Sequence, residues 1–462
     1  MDYSRNQRRN SQAIRMQQEH IDKGKLQIQI TSQVTAFPIQ NAQVSISYTG
    51  VPENTLEKLQ TDSSGQTEEI ELAAPPIEYS LNPESDQQPY SEYTLNVEAE
   101  GFEPVSISGA EILADVTAIQ NISMRPQVTQ EESGEVFVIP AHTLYGEYPA
   151  KIAEDEIKPV TESGEIVLSR VVIPEFVVVH DGSPRDSTAK NYYVRYRDYI
   201  KNVASSEIYA TWPDSTIRAN VLAIMSFTLN RVYTEWYRNK GYDFTITSST
   251  AFDHKWIPER NVYDTISAVV DEIFANYLSR PNVRQPILTQ YCDGTRVSCP
   301  DWMTQWGSKE LGDQGYTPIE ILRYFYGSDM YINTAEEISG IPSSWPGYTL
   351  ENGSSGAKVR QLQEQLNVIA GAYPALPKIQ TDGVYGPATA EAVRKFQEIF
   401  GLPQTGTVDY RTWYTREPAR GGGNGPNEKV PPKAVARSSI EARPRPPSPT
   451  RFAARPLSSM AS

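Results

Sequence analysis

The hydrophobic period of this chain changes along its length, and that change bounds what it can fold into. In "GKLQIQITSQ", Leu26, Ile28 and Ile30 alternate with polar residues, as a half-buried strand requires, because successive strand side chains point to opposite faces. The runs "AQVSISY", "EEIELAA", "YTLNVEAEGF" and "TAIQNISMRP" behave alike, with turn-rich "TDSSGQT" and "NPESDQQPYSE" between them. No helix-length apolar stripe interrupts them, so residues 24–125 read as a small β-sandwich. After a strand at Val177, Val178 and Val179, the spacing becomes three and four. "YYVRYRDYIKNVASSE" reads as a helix with Tyr196, Ile200 and Val203 on one face, and from Asp214 a second stripe follows: Ile217, Val221, Ile224, Met225, Thr228, Val232 and Trp236. Pro213 and Asp214 supply its start signal. Further helices are expected in "NVYDTISAVVDEIFANYLS" and "TPIEILRYFYG".

The fold class that results is multidomain α+β. A polar leader (1–23) precedes the sandwich (24–125). Residues 126–165 mix Pro, Gly and acids without a period and read as a linker. An α+β domain (166–335) and a second linker (336–355) follow. A compact helical module (356–414) carries two amphipathic helices, "AKVRQLQEQLNVIAG" and "GPATAEAVRKFQEIFG", around the turn "TDGVYG". The tail (415–462) is too rich in Pro, Gly, Ser and Arg to bury a core and is expected to be disordered. A length of 462 residues suits about three domains.

Charge excludes one class of partner. The net charge is -15, and because the tail carries +6, the remainder stands at -21; that is the reverse of a nucleic-acid binder's footprint, and no nucleic acid is expected. No run of about 18 apolar residues occurs, so membrane insertion is not expected either, and the N-terminus lacks the apolar core of a signal peptide. Cys292 and Cys299 lie in "YCDGTRVSCP", where a turn could bridge them in an oxidising compartment. The scattered histidines His20, His142, His180 and His254 do not complete a four-ligand metal site with them. No metal and no cofactor is expected.

Three stretches resemble known families. "PIQNAQVSIS", "TDSSGQT" and "YTLNVEAEGF" resemble the carboxypeptidase regulatory-like family, which implies a spacer or adhesion module. "GAKVRQLQEQLN…TDGVYGPATAEAVRKFQEIFGLPQTGTVDYRTW" resembles the peptidoglycan-binding domain family, matching at Leu362, Leu366, Asp382, Gly383, Gly386, Thr389, Val393, Phe396, Gln397, Thr405, Gly406 and Trp413. Gly383 and Gly386 suit a tight turn in which Asp382 accepts backbone hydrogens, while Leu362, Val393 and Phe396 join the helices. Asp382 and Tyr385 are the candidate glycan contacts of this module. The chain breaks just after Tyr414, where the family continues its last helix.

The third resemblance concerns residues 170–335. "YIKNVASSEIYATWPDSTIRANVLAIMSFTLNR" and "WMTQWGSKELGDQGYTPIEILRYFYG" resemble the stage II sporulation protein D family, whose members include lytic transglycosylases that cleave peptidoglycan. The resemblance implies that Glu207 is the catalytic acid, then base, between N-acetylmuramic acid and N-acetylglucosamine, and that Arg218, Gln305 and Trp306 line the groove. An acid working alone must keep its proton near neutral pH, and neighbours such as Trp212 and Tyr209 would supply the desolvation. The sequence departs from the family at Met225, where an arginine is usual, at Asn220 and at Phe227; Arg231 is the nearest replacement cation. "TITSSTAFDHKW" replaces the family's Cys- and His-containing segment. His254 and Asp253 read as surface polar residues, and Gln305, Trp306 and Gly307 as a turn whose Trp is core or stacks on a sugar. Two alternatives stand beside transglycosylation: a non-catalytic wall-binding or spore-associated scaffold, and a two-carboxylate hydrolase pairing Glu207 with Asp253 or Glu235. The expected partner is the peptidoglycan glycan strand and the expected location the cell wall, extracellular space or spore, with cytoplasmic synthesis and release as a possible route.

Overall fold

The computed structural model describes residues 21–33, 38–127, 134–158, 170–335, 337–338, 349–372, 375–399, 403–408 and 412–413. The leader up to residue 20, most of the second linker and the basic tail lie outside the described residues. Eight strands build the first layer pair: β1 (Asp22–Ser32), β2 (Gln43–Tyr48), β3 (Thr55–Gln60), β4 (Ile70–Ala74), β5 (Ser91–Glu98), β6 (Val105–Ile112), β7 (Thr117–Met124) and β8 (Glu135–Val138), with a short helix α1 (Glu78–Leu81) after β4. One sheet runs β3-β2-β5-β6-β8; the other includes β7-β1-β4. Leu26, Ile28 and Ile30 on β1 are fully buried, as their alternation requires. The sequence reading missed β3, whose face is charged and exposed, and β6, whose alternation breaks where Gly109 adopts φ 94 opposite a register shift in β5.

The following strands and helices are β9 (Val172–Ile173), β10 (Phe176–His180), β11 (Asn191–Arg195), α2 (Tyr196–Glu207), α3 (Asp214–Tyr233), β12 (Ile246–Thr247), β13 (Val262–Tyr263), α4 (Asp264–Ile273), β14 (Asn276–Ser279), β15 (Tyr291–Cys292), β16 (Met303–Thr304), α5 (Gln305–Asp313), α6 (Pro318–Tyr326), β17 (Tyr331–Thr334) and β18 (Glu337–Ile338). Helix α3 begins after Pro213, where the start signal sits. It is not amphipathic, however: from Thr216 to Tyr233 all but Arg218 are buried, so it forms the axis of the domain rather than a one-faced lid. Two of its buried amides donate across the domain, Asn220 Nδ2 to Ser308 Oγ at 2.8 Å and Asn230 Nδ2 to the Pro286 carbonyl at 2.7 Å. Thr317 and Glu320 close a capping box at the start of α6.

Sandwich and central domain are not beads on a string. β13 adds to β7 as a fourth strand, pairing Val262 with Ile119 and Tyr263 with Ala118. Beside it the Arg260 guanidinium meets the Glu111 carboxylate at 2.6 Å with both side chains buried, and the Asn261 amide brackets the backbone of Glu111 by accepting its N–H (3.0 Å) and donating to its carbonyl (2.9 Å). One apolar cluster runs from Leu26 to Met330 through both layers. The first linker also differs from expectation. Its residues 134–158 form β8 and then an ordered strap: Lys158 N–H donates to Gln285 Oε1 (2.7 Å), Glu154 N–H to Gln290 Oε1 (2.8 Å), and Thr143 N–H to the Ser206 carbonyl (3.2 Å). The strap has no period because its backbone bonds singly to side chains and to scattered backbone groups rather than to a ladder.

The C-terminal module packs α7 (Ala357–Ala372) on α8 (Pro387–Ile399) around Leu362, Leu366, Val393, Phe396 and Trp413. Its two halves repeat one device. Gln363 on α7 accepts the Gly383 N–H (2.8 Å) and donates to Thr389 Oγ1 (3.1 Å); Gln397 on α8 accepts the Gly406 N–H (2.9 Å) and donates to Thr412 Oγ1 (3.1 Å). Both glycines have positive φ, 76° and 69°, where a side chain would be strained.

Candidate functional site

Glu207 is the last residue of α2, where the helix stops because Ile208 turns extended. The residue is 3% exposed. It forms the floor of a cleft of about 380 Å³. Two backbone segments wall that cleft. One is the strap, through Thr143, Tyr148 and Lys151; the other is the loop between Cys292 and Cys299, through Asp293, Arg296 and Val297. The cysteines are bridged. Gln305, at the start of α5, lines the cleft and donates to the Glu207 backbone carbonyl at 2.9 Å, fixing the end of α2.

The carboxylate accepts two hydrogen bonds, from the Lys255 N–H to Oε1 at 2.6 Å and from the Tyr291 hydroxyl to Oε2. The Lys151 ammonium sits 4.9 Å from the Tyr291 ring centre and donates to the Asp253 carbonyl. Burial pushes the Glu207 carboxyl above its usual range, against the Lys151 charge and the Tyr291 and Lys255 hydrogen bonds, which pull it down. Burial in turn lowers Lys151 against the pull of Glu207. The result is a carboxyl held in place by two hydrogen bonds and pushed above its usual range by burial, on the floor of an open space.

Several expected positions lie elsewhere. Arg218 turns outward and binds Asp214 at 2.7 Å and Glu272 at 2.6 Å, so it is a surface ion-pair residue and not a lining of the cleft. Trp306 is packed 4.9 Å from Trp212 and 6.1 Å from Tyr209; this aromatic cluster is core, and Trp306 does not line the cleft. Gly307 is required beside it, because a Cβ there would stand 2.3 Å from Thr304 Oγ1. Tyr385 is buried with its hydroxyl donating to the Gly406 carbonyl at 2.9 Å, and exposed Asp382 accepts the Val384 N–H at 2.9 Å and Gln363 Nε2 at 2.8 Å. Both build their turn. Met225 is fully buried.

Asp253 and His254 are fully buried rather than on the surface. Asp253 accepts from Arg231 Nε (2.7 Å), Tyr237 Oη (2.6 Å) and Thr247 Oγ1 (2.6 Å). Arg231 is committed to that carboxylate and to Glu154 (2.6 Å), so it does not take the place of the missing arginine. His254 stacks parallel to Tyr291 and shares a 3.0 Å hydrogen bond with Tyr199 Oη; burial lowers its pKa and keeps the ring neutral. Glu235 lines a separate small hollow with Arg231 and Phe244. Neither Asp253 nor Glu235 shares the cleft with Glu207. Among the described residues no cluster of three His, Cys, Asp or Glu side chains is placed to hold a metal, and no helix is long and apolar enough to cross a membrane.

Sequence reasoning missed Lys151, Tyr148, Tyr291 and Arg296. The signal open to it was "YGEYPAK", two tyrosines and a lysine in a supposed linker, and the tyrosine beside the first cysteine.

Residues 355–415 match the family model described as a putative peptidoglycan binding domain. Over 71 residues the chain is 47% identical to the zinc D-Ala-D-Ala carboxypeptidase of Streptomyces albus G, a stretch that is 15% of this chain and 26% of that protein. The chain thus spans about a quarter of that relative's length. Among solved structures, the SleB N-terminal domain is 35% identical over 15% of this chain and 88% of its own, with a TM-score of 0.13. The Bacillus anthracis TIE protein is 12% identical over 23% of this chain and 17% of its own, with a TM-score of 0.16. Residues 355–415 therefore form a C-terminal domain of the peptidoglycan-binding type.

Proposed function

We propose that the protein is a peptidoglycan lytic transglycosylase in which Glu207 is both acid and base. The observation that carries this reading is a buried carboxyl, pushed above its usual range by burial, that lines an open cleft, in a chain whose residues 355–415 match the peptidoglycan-binding domain family. A glycan strand lying in the cleft receives the Glu207 proton on its glycosidic oxygen as the bond from the muramic anomeric carbon breaks. The carboxylate then takes the proton of the muramic C6 hydroxyl, whose oxygen closes on that carbon to give the 1,6-anhydro sugar. One carboxyl suffices, since no water is activated, in contrast to glycosidases that divide the work between two acids. The wall-binding module raises the local concentration of strand.

A second reading has an observation of its own. The Tyr291 and Lys255 hydrogen bonds and the Lys151 charge favour the ionised carboxylate, which is no acid, and so favour a wall-binding scaffold. Purified protein incubated with sacculi separates them. Transglycosylation releases anhydro-muramic fragments, detected by mass spectrometry, and Glu207→Gln lowers release by about 10²–10⁴-fold, the usual contribution of a general acid–base group, while retention on sacculi stays unchanged. Retention without anhydro products, or equal release by Glu207→Gln, refutes the catalytic reading. Reducing-end muramic acid would indicate hydrolysis.

A further inference from the structure

We propose that the Cys292–Cys299 disulfide is a reducible site through which a dithiol reductant opens the Glu207 cleft. Three features meet on this one segment. Cys292 follows Tyr291, whose hydroxyl donates to the Glu207 carboxylate. The residues between the two cysteines supply Asp293, Arg296 and Val297 to one wall of the cleft. Arg296 reaches across to the opposite wall, where its Nη1 donates to the Leu144 and Gly146 carbonyls. The bridge therefore closes, within a separation of seven residues, the loop that carries one wall and the clasp that holds the other, directly beside the hydroxyl that positions the acid.

The two ends of the loop are not equally secured. At its start, Asp293 accepts the N–H groups of Arg296 (3.1 Å) and Val297 (2.8 Å), its carbonyl accepts the Trp306 N–H (3.2 Å), and Cys292 pairs with Thr304 in the β15–β16 ladder. Cys299 lies in no strand and is part exposed, whereas Cys292 is buried. A thiolate of the reductant attacks the accessible Cys299 sulfur, forming a mixed disulfide and releasing Cys292 as thiolate; the second thiol of the reductant then displaces Cys299. Two electrons and two protons pass to the protein and the dithiol leaves as a disulfide. With the far end released, the Arg296 segment is held from the Asp293 end only, while Tyr291 keeps its ladder, so the cleft loosens at its rim before its floor.

The effect on glycan cleavage rests on the role proposed for Glu207; the effect on the cleft does not. The full chain is compared before and after treatment with dithiothreitol, with thiol titration confirming two free thiols, by amide hydrogen exchange at Gly146 and Val297 and by release of anhydro-muramic fragments. Reduction is expected to speed exchange at both amides at least tenfold and to cut product release, and Cys292→Ser/Cys299→Ser is expected to match the reduced protein and ignore dithiothreitol. Arg296→Gln, with the bridge intact, should speed exchange at Gly146 alone. Unchanged exchange in fully reduced protein overturns the inference. If exchange responds while even oxidised protein makes no anhydro product, the redox site stands and the catalytic reading falls.

Discussion

Replacing Arg260 by Met should destabilise the joint between the sandwich and the domain that carries Glu207 without separating them. The Arg260 side chain is buried, binds the buried Glu111 carboxylate at 2.6 Å, and donates through Nε to the Ser205 carbonyl at 3.1 Å, two residues before the acid. Met fills a similar volume but leaves Glu111 charged, buried and unanswered by Arg260, a loss of about 3–5 kcal/mol for such pairs. Because one apolar core joins the two layers, they should unfold as a unit of roughly 310 residues, for which an unfolding entropy of about 2.1 cal/mol/K per residue gives about 0.65 kcal/mol per degree. The expected fall in Tm is about 5–8 °C, in a single transition. The double variant Arg260→Met/Glu111→Leu removes both charges and should recover most of that loss, because the pair itself is worth little against a packed apolar substitute. Differential scanning calorimetry on wild type, single and double variants reads the outcome. A shift under 2 °C for the single variant, or a wild-type scan in which sandwich and central domain melt separately, would show that the buried pair does not bind the two layers into one cooperative unit.

Two other perturbations test separate parts of the molecule. Burial and the nearby Glu135 carboxylate push Glu259 up to about 7. The native chain therefore holds a proton that the unfolded chain has released between pH about 4.5 and about 7, and stability from this group is complete below that window and lost as pH rises through it, by about 1–3 kcal/mol. Glu259→Gln should flatten the decline in Tm across that window, and an identical slope in wild type and variant would contradict it. In the C-terminal module, Gln363→Ala strands the Gly383 N–H and the Thr389 hydroxyl, costing about 1–3 kcal/mol; circular dichroism should show a lower melting point for this module and sacculus pull-down a weaker retention, whereas unchanged melting would mean the glutamine does not hold its turn.

The elements legible in the sequence are those whose stability is local. Leu26, Ile28 and Ile30 announce β1 because a strand buries every second residue, and Pro213 with Asp214 announces α3 because a helix start has few chemical solutions. The C-terminal module was readable as a family because its turns need glycine at Gly383 and Gly406 whatever surrounds them, and "VRQLQE" and "VRKFQE" carry its repeated glutamine in plain view. Glu207 could be singled out by motif, whereas its place at the end of α2 came from the structure, where Ile208 turns extended.

What the tertiary structure alone decided is which groups meet at that carboxyl. Lys151 comes from a strap and Arg296 from a bridged loop that form no ladder, the strap bonding to Gln285 and Gln290 and the loop to Asp293, while Tyr291 sits on the two-residue strand β15, too short to show a period. Arg218 had the right charge at a plausible spacing, yet three and four residues of helix place it on the outer face with Asp214 and Glu272. Periodicity records only whether a side chain faces the core or solvent; which distant segment closes over it depends on how β13 docks onto β7 and how the strap crosses α2, and those contacts are made between residues some tens to about 150 positions apart.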